Sequence, residues 1–386
     1  MLSKGNIMNI PKLVLITLMF SASCNAYNSL PMQTNKLNMN ISVSLLVDGV
    51  SIPWGMVQLP SKEILISDRK GELRVLKNNH LLFQRVSGLP PIHNNGQGGL
   101  LDLALHPNFS NNQWLYFTFA SEQKETSGRS LGSNTALMRA KLNIADLSLS
   151  NHELLYKASP NSKKRQHYGS RIVFDRNNFV YFSIGDRGKR DINPQSITRD
   201  GGKIYRLHDD GTIPLDNPFI NQRGAKSAIY SYGHRNPQGL SIDPASNTIW
   251  SHEHGPRGGD EVNVIKKGVN YGWPVISYGI NYNGTTFTDK TKQKGMAQPA
   301  LYWSPSIAPS GMIYVSSDKY PSLKGKFLVG SMKFKHLVLL TVKDEQVVNQ
   351  ERVFEDIGRA RSLLQGEDGY IYVGIDGEGI KKLLPK

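Results

Sequence analysis

Six segments of similar pattern repeat along this chain of 386 residues, and each reads as a short apolar strand, a polar turn and a second strand. They begin near residues 52, 100, 171, 239, 310 and 362. The second strand alternates aliphatic or aromatic residues with small polar ones, which is typical of β-hairpins. The spacing leaves room in each unit for one four-stranded sheet and a loop, so the chain reads as a repeat architecture.

The repeat predicts an all-β fold, a six-bladed β-propeller of four-stranded antiparallel blades. A propeller has to close its ring, and residues 41–47 are strand-like and suited to pair with residues 380–384 in one shared blade. Two β-sandwich domains are the structural alternative. No linker marks a boundary, so one catalytic domain over residues 27–386 is favoured. The best helix signal lies at residues 140–149, and residues 124–133 and 285–297 are expected to form loops.

The first 26 residues have the layout of a secretory signal peptide. Lys4 and Lys12 precede a short apolar run, and small residues end at Ala26. Cleavage there would place the mature protein in the periplasm. Lipid attachment at Cys24 is the alternative, and it is disfavoured because Ser21 stands where such sites usually carry an aliphatic residue. No apolar run approaches the roughly twenty residues that a transmembrane helix needs.

Composition excludes several kinds of site. The chain has one cysteine, which rules out an intramolecular disulfide, a cysteine-rich zinc site and an iron–sulfur cluster. The formal net charge of +15 suits nucleic acid, an acidic surface or an anionic ligand. Export and the lack of a dense Lys/Arg run argue against nucleic acid. The motifs of P-loop, Rossmann and nucleophile-elbow sites are also missing from the sequence.

One pair of residues offers general-base chemistry. His167 precedes a predicted strand at residues 170–174, and Asp186 ends the next strand. In a hairpin both would lie at the same end, where a carboxylate could hold the imidazole in one tautomer and leave it neutral near pH 7. A structural or exposed histidine is the alternative.

Two further segments carry binding chemistry. Arg235 and Asn236 stand side by side before a strand, and a guanidinium suits planar carboxylates or carbonyls. Residues 252–261 combine acidic residues and two histidines with a glycine-rich turn, which suits a hard cation or a transition metal.

Four cations near the C-terminus form two pairs spaced by two residues, Lys333 with Lys335 and Arg359 with Arg361. Each pair is expected to share one face of an extended strand. There the cations form either a solvated face or a clamp for an anionic cofactor.

Five motifs are far more specific together than any one of them alone. They are GQGGLLDLALHPNF from Gly96, HYGSRIVFDRNNFVYFSIGD from His167, YSYGHRNPQGL from Tyr230, EHGPRGGDEVN from Glu253 and NYGWP from Asn270. From about residue 52 to 383 the chain resembles the soluble quinoprotein glucose/sorbosone dehydrogenase family, most closely its bacterial aldose sugar dehydrogenases. Members of that family are six-bladed propellers, which agrees with the repeat.

The resemblance implies a dehydrogenase that depends on pyrroloquinoline quinone (PQQ) and calcium. Such an enzyme oxidises the anomeric C1 of aldose sugars to lactones by hydride transfer to PQQ. The implied catalytic residues are His167 as general base, Asp186 as its orienting carboxylate and Arg235 as a donor to the developing oxyanion. The implied cofactor contacts are Gln97, His167, Arg235, Asn236, Tyr282, Lys333, Lys335, Arg359 and Arg361. The implied calcium ligands are the carbonyls of Gly255 and Pro256, with a further calcium site at Glu261 and Tyr271.

The sequence departs from the better-known glucose dehydrogenases of the family. Gln166 stands where they carry an acid, and the loops at residues 124–133 and 285–297 look short for them. Both points favour the aldose dehydrogenase branch. The expected partners are an aldose substrate and an external electron acceptor, either a quinone, a cytochrome or a dye, and the protein is expected to be a monomer.

Two other functions remain open from the sequence. A calcium-dependent propeller lactonase would not need the four C-terminal cations to converge on one anionic ligand. A non-catalytic binding propeller would not need His167 together with Gln97, Arg235 and Asn236. The dehydrogenase is therefore the favoured interpretation.

Overall fold

The computed structural model describes residue 1, residues 30–32 and residues 40–386. The predicted signal peptide, residues 1–26, lies outside the described residues apart from Met1. The described part forms six four-stranded antiparallel sheets arranged as a six-bladed β-propeller, which confirms the predicted fold. The one α-helix of this part, α1 (Phe109–Asn112), is a single turn, and no helix in it is long and apolar enough to cross a membrane.

The strands follow one another in chain order around the ring. They are β1 (Ile41–Val47), β2 (Pro53–Gln58), β3 (Ile64–Asp68), β4 (Glu72–Lys77), β5 (His80–Leu81), β6 (Leu100–Leu105), β7 (Trp114–Lys124), β8 (Ser130–Asn143), β9 (Ser148–Lys157), β10 (Ile172–Phe174), β11 (Val180–Ile184), β12 (Lys203–Leu207), β13 (Ile229–Tyr232), β14 (Pro237–Asp243), β15 (Thr248–Glu253), β16 (Asp260–Ile265), β17 (Leu301–Trp303), β18 (Pro309–Tyr314), β19 (Phe327–Ser331), β20 (His336–Lys343), β21 (Gln346–Val353), β22 (Ala360–Gln365), β23 (Ile371–Ile375) and β24 (Gly379–Pro385). Blades 1 to 5 are β2–β5, β6–β9, β10–β13, β14–β17 and β18–β21.

Blade 6 closes the ring by joining the two ends of the described chain. Its strands β22, β23 and β24 come from the C-terminus, and β1 is its outermost strand. Ile41 lies opposite Pro385 and Val47 opposite Ile380, as predicted. The first strand of each blade faces the centre of the ring and begins within two residues of a predicted repeat start.

The hydrophobic core of the described chain is divided among seven clusters. Six of them lie between two neighbouring blades, and the seventh is a small cluster around Trp54 and Tyr168. Hydroxyl side chains on the second strands complete these interfaces. The Thr118 hydroxyl donates to the Ser170 carbonyl of the next blade at 2.7 Å, and the Ser183 hydroxyl donates to the Pro237 carbonyl of the blade after that at 3.1 Å. This accounts for the small polar residues that alternate with apolar ones in the repeat.

The prediction of a helix at residues 140–149 is wrong, because this segment is the end of β8, a turn and the start of β9. The Asn143 carboxamide accepts hydrogen bonds from the backbone N–H groups of Ala145 and Asp146 and so fixes the turn. The flanking apolar side chains are buried between blades 1 and 2, namely those of Ala140, Leu142, Leu147 and Leu149. The predicted loop at residues 124–133 is a loop only at residues 125–129, since β7 ends at Lys124 and β8 begins at Ser130.

Arg171, the residue before β10, lies fully buried at the centre of the ring. Its guanidinium donates to the carbonyls of Gln238, Trp54 and Arg361 at 2.7, 3.0 and 3.0 Å. It also donates to the buried Asp102 carboxylate at 3.1 Å and lies 4.1 Å from the centre of the Trp54 ring. Since its partners belong to blades 1, 2, 4 and 6, one side chain of blade 3 connects five blades.

A second buried cation, Lys203, holds the long connection between β11 and β12. Its ammonium donates to the carbonyls of Asn193, Pro194 and Gly201 at 2.6, 3.0 and 2.7 Å. Burial lowers the pKa of Lys203 to about 7, against the opposing charge of Asp200. Three acceptors match the three protons of an ammonium group, so this side chain fixes the course of residues 185–202.

Replacing Arg171 with Met should lower the free energy of unfolding by about 3–5 kcal/mol, because the buried Asp102 carboxylate loses its ion-pair partner. Equilibrium urea denaturation measures the change. Adding Asp102→Asn should recover part of the loss, and Arg223→Met, at an exposed arginine, should have little effect. A loss of less than about 1 kcal/mol in the single variant would contradict this account of the ring.

Candidate active site

Three adjoining cavities lie at the end of the propeller where the first strands of the blades begin. The His167 cavity has a volume of about 380 Å³, the Pro256 cavity about 1030 Å³ and the Arg361 cavity about 240 Å³. Pro256 and Tyr282 line both the first and the second, and Arg359 lines both the second and the third. The three cavities therefore form one recess.

The recess brings together most of the predicted site residues, although they come from distant parts of the sequence. The predicted residues that line it are Gln97, His167, Asp186, Arg235, Asn236, Gly255, Pro256, Tyr282, Lys333, Arg359 and Arg361. Lys335, Glu261 and Tyr271 do not line it.

His167 and Asp186 form the pair that the sequence predicted. His167 precedes β10 and Asp186 follows β11, so the hairpin brings the His167 Nδ1 atom to 2.7 Å from Asp186 Oδ1. Asp186 also accepts hydrogen bonds from the Trp273 indole N–H at 3.0 Å and from the Gly188 N–H at 2.7 Å. The Gln97 side-chain oxygen accepts from the His167 N–H at 2.8 Å. With Nδ1–H held by the carboxylate, Nε2 is the unprotonated nitrogen.

The surroundings favour a neutral imidazole beside an ionised carboxylate. Burial and the nearby Arg235 charge lower the pKa of His167 below its ordinary 6.5, although Asp186 opposes this. Burial alone would raise the pKa of Asp186, but the hydrogen bond from His167 and the charges of His167 and Arg235 outweigh it and hold the pKa below its usual value. The pair is therefore arranged as a general base near neutral pH.

Glu253 holds Arg235 and Asn236 in place from beneath. One of its oxygens accepts from the N–H of Arg235 at 2.5 Å and from the N–H of Asn236 at 3.3 Å. The other lies 2.8 Å from Nδ1 of the buried His234. The Arg235 guanidinium then donates to the His254 carbonyl at 2.9 Å and reaches the His167 cavity.

Two carboxamides leave donors free toward the recess. The Asn236 oxygen accepts from the Gly169 N–H at 3.1 Å, and the Gln97 oxygen is taken by His167. The N–H₂ groups of both side chains have no partner among the described residues. Together with the Arg235 guanidinium, they present hydrogen-bond donors to a ligand with carbonyl or carboxylate oxygens.

Arginines dominate the Arg361 cavity. Arg361 forms a two-pronged ion pair with Asp376 at 3.1 and 2.7 Å, and Arg359 donates to the Met332 carbonyl at 3.1 Å. Arg69 also lines this cavity, and its buried Nε has no partner among the described residues. Three guanidiniums with one carboxylate leave an excess of positive charge, which fits a bound anion.

The prediction that Lys333 and Lys335 share one face of an extended strand is wrong. Both lie in the turn between β19 and β20 rather than on a strand, so the alternation of strand side chains does not apply. Lys333 lines the Pro256 cavity and Lys335 does not. Arg359 and Arg361, by contrast, line one cavity together.

The turn between β15 and β16 supplies backbone oxygens to the Pro256 cavity. Gly255 has no room for a side chain, because a Cβ there would lie 2.2 Å from the Gly259 oxygen and 2.3 Å from the Gly258 oxygen. The Gly255 N–H donates to Asp260 at 2.8 Å. Crowded carbonyl oxygens of this kind suit a hard cation.

A buried glutamate and a partly buried one stand on the two strands that this turn joins. Glu253 and Glu261 are opposite each other on β15 and β16. Burial and the Glu253 charge raise the pKa of Glu261 to about 8. The Asn263 side-chain oxygen beside them is buried without a partner. The Tyr271 hydroxyl is already bonded to the Val264 carbonyl, so only its backbone oxygen is left for a cation.

Sequence reasoning missed several residues that hold the site. Glu253 and Trp273 lie inside the quoted motifs, but no local pattern shows that they reach Arg235 and Asp186. Arg69 follows a strand like many surface arginines, and Lys203 opens one. Trp273 reaches Asp186 from 87 residues away, and Glu253 and Lys203 act on nearby connections, but the sequence spacing does not reveal any of these contacts.

Comparisons with known proteins agree with this geometry. The sequence model of the glucose/sorbosone dehydrogenase family matches residues 50–384. The aldose sugar dehydrogenase YliI of Escherichia coli K12 is 36% identical over 340 residues, which cover 87% of this chain and 90% of that protein.

Two solved structures show the same fold. The apo form of the soluble aldose sugar dehydrogenase from Escherichia coli superposes with a TM-score of 0.84 at 35% identity, covering 90% of this chain and all of that one (100%). The PQQ-bound form of aldose sugar dehydrogenase from Streptomyces coelicolor superposes with a TM-score of 0.71 at 25% identity, covering 89% of this chain and 98% of that one. This chain belongs to the glucose/sorbosone dehydrogenase family.

Proposed function

We propose that this protein is a PQQ- and calcium-dependent aldose sugar dehydrogenase that oxidises the anomeric C1 of an aldose to a lactone, with His167 as the general base. The observation that carries the proposal is the His167–Asp186 pair, which opens into a recess with an excess of cations. The relatives named as aldose sugar dehydrogenases, one of them solved with PQQ bound, support it.

The recess has the donors that PQQ requires. PQQ carries three carboxylates, and the cations that line the Pro256 and Arg361 cavities are Lys333, Arg359, Arg361, Arg69 and Arg257. The unpartnered Arg69 Nε and the free N–H₂ groups of Gln97 and Asn236 add neutral and charged donors. When bound, PQQ supplies the quinone that accepts the hydride from C1.

The residues of the chain handle the proton. Nε2 of His167 takes the proton of the C1 hydroxyl, and the ionised Asp186 stabilises the imidazolium that forms. The Trp273 indole and the Gly188 N–H keep the Asp186 carboxylate in position for this step. The Arg235 guanidinium stabilises negative charge that develops on oxygen in the same cavity.

Two places fit calcium. Gly255 and Pro256 line the recess, and their carbonyls are the proposed ligands of the first cation. The second is the Glu253–Glu261 pair with the backbone oxygen of Tyr271. Two adjacent carboxylates repel each other, and the unpartnered Asn263 oxygen points to an extra positive ligand.

We also infer that the protein is exported by cleavage after Ala26 and acts in the periplasm as a monomer, with one catalytic domain over residues 27–386. The arrangement of charged, apolar and small residues in the first 26 positions supports export. Size-exclusion chromatography and N-terminal sequencing of the secreted protein test these points.

The function is tested by reconstitution. The purified mature chain should reduce a dye with aldoses only when PQQ and Ca²⁺ are both added, and Ca²⁺ should raise its unfolding temperature. Glu261→Gln should remove much of that calcium-dependent stabilisation, because the repelling carboxylate is gone. The matched control is Glu351→Gln, at a buried glutamate. No PQQ binding and no dye reduction would overturn the proposal.

His167→Ala should lower kcat by about 10²–10⁴-fold, the usual contribution of a general base, while PQQ still binds. Steady-state dye reduction gives kcat, and the absorbance change on PQQ titration reports binding. His80→Ala, at an exposed histidine, serves as the control. Near-normal turnover of the His167 variant would rule out this base.

The pH dependence of kcat/KM should show an acid limb with its midpoint below 6.5, because burial and Arg235 disfavour the imidazolium. Activity is lost below that midpoint as His167 becomes protonated. Arg235→Gln removes a positive neighbour, so the pKa of His167 should rise and the limb should move to higher pH. A limb above 6.5 in the unaltered enzyme, or a shift to lower pH in the variant, would contradict the assignment.

A further inference from the structure

Four exposed cations lie on the two chain segments that lead into the His167 cavity, and none of them forms an ion pair with a described residue. They are Lys163, Lys164 and Arg165, which precede Gln166 and His167, and Lys189 on the connection after β11. We call these four residues the basic rim. Asp191, two residues after Lys189, pairs with Arg190 at 3.0 Å, and Glu125 pairs with Arg129.

The backbone of the rim is held in place by a buried arginine. The buried Arg187 donates to the Lys164 carbonyl at 3.0 Å, to the Ser133 carbonyl at 3.2 Å and to the Gln166 carbonyl. Its guanidinium lies 3.4 Å from the centre of the Tyr168 ring. One side chain thereby holds both segments of the rim against each other.

The two segments are in contact. A Cβ on Gly188 would lie 3.2 Å from the Lys164 Cβ, so this glycine allows residues 163–165 to approach the Lys189 segment. Gln166 and Lys189 both line the His167 cavity. The rim therefore stands at the entrance of the cavity that contains the proposed base.

The proposed PQQ site does not need the positive charge of the rim to bind its ligand. The carboxylates of PQQ are matched by the cations of the Pro256 and Arg361 cavities, and those cations lie on other loops. Rim side chains are exposed, so their field extends into solvent for about a Debye length, roughly 8 Å at physiological salt. Such a field attracts an acidic surface and speeds its association.

We propose that the basic rim is the docking surface for an acidic electron-acceptor protein. The proposal rests on the proposed function, because each aldose oxidation leaves two electrons in the recess. Two one-electron acceptor molecules, such as cytochromes, would each take one electron, and two protons would pass to solvent. The rim guides them to the entrance behind which the electrons lie.

A membrane surface is the other anionic partner that a basic patch could meet. A bilayer lying on the rim would cover the entrance of the His167 cavity and obstruct the sugar. A protein docks, takes its electron and leaves, so the entrance is open again for the next substrate. The position of the rim beside the cavity therefore favours the acceptor protein.

The test compares two charge-reversed variants of the whole mature enzyme with PQQ and Ca²⁺ bound. The rim variant carries Lys163→Glu, Lys164→Glu and Arg165→Glu, and it leaves Lys189 unchanged because Lys189 lines the His167 cavity. The control carries Lys62→Glu, Lys343→Glu and Lys386→Glu. Lys62 follows β2, and Lys343 and Lys386 end or follow third strands, so the topology puts them at the opposite end of the blades.

Three acceptors are used at saturating aldose: an uncharged dye, an acidic cytochrome c and a basic cytochrome c. In the rim variant, kcat/KM for the acidic cytochrome should fall at least about tenfold at low ionic strength and recover toward the wild-type value as salt is added. The basic cytochrome should be reduced faster than by wild type. The control variant and dye reduction by both variants should stay within about twofold of wild type.

Equal changes for the two cytochromes, or an equal loss in the control variant, would overturn the proposal. So would unchanged cytochrome kinetics together with lost binding to vesicles of anionic lipid, since the rim would then be a membrane surface. Dye reduction distinguishes failure of the docking proposal from failure of the proposed function. If the rim variant reduces the dye normally and its cytochrome kinetics are unchanged, only the docking proposal fails. If wild type reduces no acceptor, the proposed function fails and docking fails with it.

Discussion

The ring of this propeller depends on one buried guanidinium. Arg171 connects blade 3 to the carbonyls or carboxylate of four other blades, and the Ser310 hydroxyl of blade 5 donates to the same Arg361 carbonyl at 2.8 Å. Burying an arginine is costly unless its donors are satisfied, so the charge penalises any arrangement in which a blade moves away. Apolar clusters between blades supply most of the attraction, but they tolerate sliding. The directional bonds of Arg171 set how the blades are placed about the centre.

The recess inherits its geometry from that ring. The side chains that line it stand on separate connections, and each connection is fixed by a charged or polar group beneath it. Glu253 holds the backbone of Arg235, and Arg187 joins the segment before His167 to the one after Asp186. Donors that are in position before a ligand arrives need no reorganisation when charge develops, which is the main source of electrostatic catalysis. A mobile loop would lose part of that advantage.

Hairpin starts could be predicted from the sequence because alternation and turn residues are local signals. The His167–Asp186 pair could be predicted for the same reason, since two adjacent strands bring both residues to one end. The positions of Lys333 and Lys335 could not be predicted in this way. The turn after β19 begins just before them, so their side chains do not alternate as strand side chains do. Residues 140–149 were wrongly predicted to be helical because a short run of alanine and leucine residues is compatible with both a buried helix and a buried strand. Glu253 and Lys203 act by holding the backbone of neighbouring connections, and no spacing rule predicts which backbone groups a side chain will reach.

Lys203 makes the connection between β11 and β12 independent of cations from the solution. Three converging carbonyl oxygens form the kind of ring that a potassium ion could occupy, but here the positive charge is attached to the chain itself. A tethered cation has a high effective concentration and is not lost by dilution or chelation. At pH values below the pKa of Lys203, about 7, the connection that carries Asp186 therefore keeps this cation whatever salts surround the protein. The calcium of the proposed function, in contrast, would have to be drawn from outside, so under that proposal the two halves of the recess differ in how far they depend on the medium.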